Sequence, residues 1–365
     1  MQVKDEEEMK YFGKFIGYLI LSVNLFFTGV LLLCAYSPYI NPVAHPVLSC
    51  AGLAFPIFLA VNLAFLVFWL FIYRRYMLVS LIGLLLCAGQ IRTYMPFHFR
   101  TKDIPERAFK ILSYNVMGTN FYIRNEDATV MTQYIEKLNP DIICMQEFVE
   151  NGKVNKINDV LKAYPYKVFH RIGESKGNGV ACFSRFPILS SKSIEYKSTS
   201  NGSVVYQLKI EGDTVLLINN HLESNKLTAN DKKIYTEMIK SPEAEKVKSG
   251  SKLLIGKLAE ASAIRSVQAD TIAGIIKSCK SAYVIVCGDF NDSPISYAHR
   301  VVAQDLNDAF TQSGQGFGIS YNQNKFYFRI DNILISKNLQ SYNCTVDNKI
   351  DISDHYPIWC YINKE

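Results

Sequence analysis

The chain has 365 residues, 20% of them charged, and a formal net charge of +6. That average hides a split: six of the 39 basic and four of the 33 acidic residues precede Arg100, so the remainder is near balance at +4. This argues against a strongly basic nucleic-acid binder, though a local basic patch would suffice for one, and the nine cysteines show neither zinc nor disulfide-framework spacing.

Three apolar runs come first. Phe15 to Tyr36 and Val47 to Tyr73 carry no charge, and Tyr76 to Ile91 lies between Arg75 and Arg92. At 1.5 Å per helical residue the first two can cross a hydrocarbon core of about 30 Å. The third is short, but flanking arginines can snorkel to the interfaces. Residues 1–98 are therefore expected to form a membrane region with helices at about 12–36, 47–73 and 76–93. The acidic start (Asp5 to Glu8) and the long first run argue against a cleaved signal peptide. The loop Ser37 to Pro46 lacks Lys and Arg, whereas Arg74-Arg75 separates the second and third runs. The positive-inside rule then puts that pair in the cytoplasm and the chain after the third run outside. If the third run only dips into the interface, that side reverses.

The rest, 99–365, alternates strand and helix patterns. Phe109 to Val116 reads as a strand, Ala128 to Leu138 as a helix closed by Asn139-Pro140, and Asp141 to Met145 as a strand running into Gln146-Glu147. Gly179 to Ser184 is a further apolar strand. Val204 to Ile210 and Thr214 to Asn219 form a hairpin about Glu211-Gly212-Asp213. Ala263 to Ser278 is helical, Tyr283 to Cys287 is a strand, and Phe326 to Ile335 and Tyr356 to Ile362 are late strands. Interleaved strands and helices imply an α/β class with covered sheets. Cys144, Cys182, Cys287 and Cys360 fall inside apolar strands, where free cysteine behaves as a small hydrophobe.

Polar residues recur just past the apolar strands: Asn115, Glu147, Asn219 with His221, Asp289 with Asn291, Asp331, and Asp354 with His355. Each alone has an ordinary explanation, such as a turn, a cap or a solvated end. Together, carboxylates, amides and two histidines on rigid strand ends supply what metal-assisted phosphoester hydrolysis requires.

The same segments resemble, in order, the motifs of the endonuclease/exonuclease/phosphatase superfamily. They are Leu112-Ser113-Tyr114-Asn115-Val116, Asp141 through Glu147, Gly177 through Ile188, Asn219-Asn220-His221-Leu222, Gly288-Asp289-Phe290-Asn291, Arg329 through Ile333, and Ser353 through Pro357. The resemblance implies a four-layer α/β sandwich, with two packed mixed β-sheets flanked by helices, and water attack on phosphorus with Mg²⁺ (Mn²⁺ possible). It implies Glu147 as the principal metal ligand with Asn115 and Asp354 beside it, and Asn178 and Asn219 at the substrate phosphate. Asp289 would position or deprotonate water with Asn291 orienting it. His221 and His355 would work at the phosphate, with Asp331 holding the tautomer of His355. Met117 stands where some abasic-site endonucleases carry an acidic residue, which argues against that subgroup.

The stretch from about 223 to 262 is longer than the motifs require. It places Ile234 and Met238 on one narrow apolar stripe, broken by Ser249-Gly250-Ser251, and is expected to form a helical lid. The substrate is either a nucleic acid or a phospholipid or its headgroup, and no obligate protein partner is evident. A catalytically weak membrane-bound binding or scaffold protein on the same fold is the alternative.

Overall fold

The computed structural model describes residues 2–118, 125–149, 160–173, 178–196, 198, 200–241, 243–321, 323 and 327–365, with the backbone alone for 2–10, 125–127, 178 and 239. The N-terminal part comprises α1 (Gln2–Tyr36), α2 (Phe55–Phe71), α3 (Met77–Leu86) and α4 (Ala88–Tyr94). Two helical stretches, Tyr11–Tyr39 and Pro46–Phe71, are long and apolar enough to cross a membrane. The third run is not one straight helix: α3 and α4 meet at 61° across Cys87. It nevertheless runs the depth of α2. Tyr76 packs edge-on against Trp69 at one end, and Tyr94 against Phe55 at the other.

Buried polar side chains tie the three runs together. Asn24 Nδ2 donates to Ser80 Oγ (2.9 Å), Trp69 Nε1 donates to Asn24 Oδ1 (2.9 Å), and Thr28 Oγ1 donates to Asn62 Oδ1 (2.7 Å). In a lipid surround such pairs matter because an unpaired polar group there has no water to turn to.

The remainder is two six-stranded mixed sheets face to face. The strands are β1 (Phe109–Gly118), β2 (Ile142–Val149), β3 (Tyr166–Arg171), β4 (Asn178–Ser184), β5 (Ile188–Ile194), β6 (Gly202–Ile210), β7 (Asp213–His221), β8 (Tyr283–Asp289), β9 (Leu306–Asp308), β10 (Asp331–Ser336), β11 (Leu339–Val346) and β12 (Ile358–Lys364). One sheet runs β11-β12-β1-β2-β4-β3 and the other β5-β6-β7-β8-β10-β9. Among the described residues, only β1–β2 and β7–β8 are parallel pairs. Alternate residues such as Ile111, Cys144, Val180, Tyr206, Leu217, Ile285 and Ile333 fill the layer between the sheets. The outer faces are covered by α5 (Asn125–Leu138) on one side, and by α7 (Ala244–Ser278) and α8 (Tyr297–Val302) on the other. This is the expected four-layer sandwich. The β6–β7 hairpin turns at Glu211 and Gly212, both with positive φ, which glycine adopts without a Cβ penalty.

The expected break at Ser249-Gly250-Ser251 is not there, since α7 continues through it. Gly250 serves packing instead. A Cβ at that position would lie 2.4 Å from Met238 Sδ and 3.0 Å from Ile234 Cγ2, so the stripe on α6 (Ala229–Lys240) rests on the bare backbone of α7. Thr228 and Asp231 form a reciprocal capping box that starts α6.

The apolar helices dock where active strands end. A Cβ on Gly52 would sit 2.0 Å from the Ile295 carbonyl oxygen, six residues past Asp289. Arg300 Nε donates to Pro38 O (2.8 Å), and Arg329 Nη2, two residues before Asp331, donates to Thr93 O. Arg329 also faces the carboxylate of Asp308 (3.4 Å).

Candidate active site

Backbone irregularity aims the first two residues. Pairing of β1 with β2 shifts between Asn115 and Gly118, and that of β2 with β4 between Met145 and Phe148. Met117 and Glu147 sit at φ 50° and 52°, and Asn291 at 51°. Non-glycine residues held there are strained, and such bulges re-aim side chains beside functional sites. Asn115 Nδ2 bridges Glu147 Oε1 (3.2 Å) and Asp289 Oδ2 (3.0 Å), so the ends of both sheets meet at one amide.

Asp289 ends β8 and is fully enclosed. The Asn291 backbone N–H donates to its Oδ1 (2.8 Å) and the Asn291 amide to its Oδ2 (3.2 Å). Asn291 is itself held by donation to Leu222 O (3.0 Å). Burial and the neighbouring Asp331 push the Asp289 carboxyl up to about 6, against the pull of His355 and His221.

The two histidines both face Asp289 Oδ2 and differ in charge. His355 Nδ1 lies 2.8 Å from Asp331 Oδ2, and its Nε2 3.7 Å from Asp289 Oδ2. Burial lowers the basicity of His355, but Asp331 and Asp289 outweigh it and raise the imidazole to about 10. It is therefore a cation at neutral pH. His221 ends β7, with Nε2 3.5 Å from Glu147 Oε1 and 3.8 Å from Asp289 Oδ2. There burial prevails and its pKa falls below the ordinary value.

Asn201 explains part of that difference. Its Oδ1 accepts from Ser224 N (3.4 Å) and Ser200 Oγ (3.1 Å), which turns Nδ2 toward His221 Nε2 at 3.0 Å. Donation to that nitrogen favours a neutral ring. Nothing in the sequence marked Asn201, a polar residue in a loop of polar residues. Gln146 and Ser353, both inside the family-like motifs, also brace the site. Ser353 Oγ donates to Asn115 O (2.8 Å) and accepts from His355 N (3.2 Å), tying β1 to the loop that carries His355.

Asn219 sits lower, between the sheets. Its amide donates to Ala181 O (3.1 Å) and Met145 O (3.3 Å), and its Oδ1 accepts from Gln146 Nε2 (2.6 Å). Those bonds brace the site from below and face protein. Asn178 opens β4 opposite Val149, and its side chain lies outside the described residues.

The donor set fits a hard divalent cation. Glu147 is half-buried, with its carboxyl pushed up first by burial and further by Asp354. Two carboxylates that repel across an open rim are relieved by a cation, and carboxylate and amide oxygens are the donors that Mg²⁺ takes. Asp289, Asp331 and His355 also offer ligand atoms within 4.8 Å of one another. There the imidazolium already supplies the balancing positive charge.

Residues 112–355 match the profile of the endonuclease/exonuclease/phosphatase family. The chain belongs to that family. Its members are hydrolases of phosphoester bonds, and so is this protein. Residues 17–94 match a domain of unknown function, DUF8431. No curated protein matches the chain. Among solved structures, the human nocturnin catalytic domain superposes with a TM-score of 0.51 at 16% identity, covering 72% of this chain and all (100%) of that one. Sphingomyelinase C from Streptomyces griseocarneus gives 0.50 at 18%, covering 71% and 100%. D. rerio TDP2 complexed with a single-strand DNA product gives 0.50 at 18%, covering 70% and 99%. At these identities the likeness is one of fold.

Proposed function

We propose that the protein is a membrane-tethered, Mg²⁺- or Mn²⁺-dependent phosphoesterase whose catalytic part faces away from the cytoplasm. The observation that carries the chemistry is the convergence on Asp289 of Asn115, Asn291, His221 and His355. Asp289, with its carboxyl raised to about 6, takes a proton from water held beside it, and Asn291 keeps the acceptor oxygens aimed. His355, kept cationic by Asp331, faces the phosphate and offsets the charge that grows on its oxygens. His221, neutral and oriented by Asn201, offers a second ring at the leaving-group side. The cation would be held by Glu147, with Asn115 and Asp354 at its edge, and would supply Lewis-acid stabilisation of the phosphate oxygens.

Tethering rests on the two long apolar helices, and orientation on the distribution of charge. Tyr18 packs on Tyr76, and Gly17 faces Tyr73, so Lys14 and Arg74-Arg75 share one end of the bundle. The other end, with the Lys- and Arg-free loop 37–54, docks on the catalytic part. Lys14, Arg74 and Arg75 at one end against Arg92 at the other match a cytoplasmic face at Arg74-Arg75.

The test is hydrolysis of bis(p-nitrophenyl) phosphate by the full chain. Activity should vanish in excess chelator and return with Mg²⁺, and Glu147→Gln should remove most of it by deleting the ligand's charge while keeping its shape. Full activity in chelator would overturn the metal chemistry.

A further inference from the structure

We infer that the phosphoester cleaved at this site belongs to an amphiphilic lipid lying in the same bilayer as the anchor. This rests on the phosphoesterase reading above and adds the substrate class. The first observation is direction. The anchor touches the catalytic part through Ile295, Arg300 and Arg329, on segments that leave β8 just after Asp289 or enter β10 just before Asp331. The end of the sandwich that bears the site is thus the end turned to the membrane helices.

The second observation is an aromatic rim continuous with the third apolar run. Beyond Tyr94, Phe97 and Phe99 are 68% and 80% exposed and stack edge-on, and Phe317, 50% exposed, packs on Tyr94. Tyr327 adds a ring that is 55% exposed. Exposed aromatics grouped where a helix leaves the bilayer are the composition of an interfacial belt. A soluble surface rarely shows such a group without a partner.

The third is a cavity of about 520 Å³ beside that rim. Phe310, Phe317 and Tyr327 line it on one side, Arg100 and His98 on another, and it reaches Tyr356, next to His355. Its aromatic rings are mixed with polar side chains such as Gln315 and Asn343, a lining that suits the headgroup end of an amphiphile. The loop that carries Phe317 also carries Tyr321, whose ring packs on His355 at 5.3 Å, and Lys232 of α6 donates to its hydroxyl (3.0 Å). Rim and cavity therefore share a loop with the ring that packs on the catalytic imidazole. A nucleic acid would draw instead on a strongly basic surface, and the chain beyond Arg100 is near charge balance.

The step is a hydrolysis. The water oxygen bonds to phosphorus and one P–O ester bond breaks. Its electron pair leaves on the alcohol oxygen, which takes a proton, giving a phosphomonoester and an alcohol. No further reactant is needed.

The full chain is reconstituted with Mg²⁺ in nanodiscs of phosphatidylethanolamine, phosphatidylglycerol and sphingomyelin. Bis(p-nitrophenyl) phosphate and a single-stranded DNA oligonucleotide are offered in solution, and products are read by mass spectrometry. At least one disc lipid should be cleaved about tenfold faster per site than the oligonucleotide, because the tether raises the lipid's effective concentration. Phe317→Ser combined with Tyr327→Ser should lower the ratio of lipid to soluble-reporter turnover by a similar factor. Cleavage of the reporter or of DNA with every lipid intact overturns the inference and leaves the phosphoesterase reading standing. No cleavage of any substrate overturns both.

Discussion

At the scale of single residues, the site separates two histidines by their surroundings. His355 is bracketed by two carboxylates and charged, whereas His221 is enclosed, faces an amide donor and is neutral. Asp289→Asn and His355→Ala should each lower kcat by about 10²–10⁴-fold, the usual worth of a general acid or base, with the melting temperature little changed. A variant as active as the parent would remove that residue from the mechanism. The pH profile follows from the signs. The base must be unprotonated, so kcat/KM should rise with pH through a limb at about 6 and lower once a cation sits nearby. His355 must stay charged to offset the phosphate, so activity should fall again toward about 10. Asn201→Leu removes the donor that favours neutral His221, so it should shift the acid limb. An unmoved profile would make Asn201 a packing residue only.

At the scale of elements, the sequence exposed what was apolar and regular, and hid what was polar or short. The buried β1, β2, β4, β6, β7, β8 and β12 read directly from their alternating or continuous apolar runs. The edge strands β3 and β5 did not, because Tyr166 to Arg171 and Ile188 to Ile194 bury no residue fully and carry little pattern. Site residues on strand ends were legible through their motifs. Asn201 and Tyr321 were not, since each acts through a neighbour brought close only by folding. Gly250 misled for a physical reason: a glycine that normally ends a helix was there to let α6 approach. A Gly/Ser linker in place of Thr228 to Ser241 removes α6, the expected lid, and leaves α7 whole. Hydrolysis of bis(p-nitrophenyl) phosphate should persist while preference among natural phosphoesters changes. Total loss of activity in a folded variant would show that Lys232 and its bond to Tyr321 help build the centre.

At the scale of the whole molecule, the bundle and the sandwich form one object with a defined polarity. A reporter that matures only outside the cytoplasm should work when fused after Glu365 and stay silent when placed after Arg75. The reverse pattern would mean that the bent segment Met77 to Tyr94 returns to the side it started from. Tyr76, just before that segment, and Tyr94, at its end, pack near opposite ends of α2.

The layer between the sheets holds Cys144, Cys182 and Cys287, all unpaired, with Cys144 and Cys182 directly opposite in register. Burial pushes the Cys144 thiol well above its ordinary range, so in the native state it is a poor nucleophile. The unfolded chain has no such shelter. If the sandwich matures outside the cytoplasm, folding competes with air and thiol oxidants for the same sulfurs. A chain that loses this race is locked by wrong cross-links. Thermal unfolding of the full chain should therefore be recoverable under reductant and progressively lost under oxygen, as followed by recovered reporter hydrolysis after cooling. Equal recovery in both atmospheres would show that closure of the sheets outpaces oxidation even from the unfolded state.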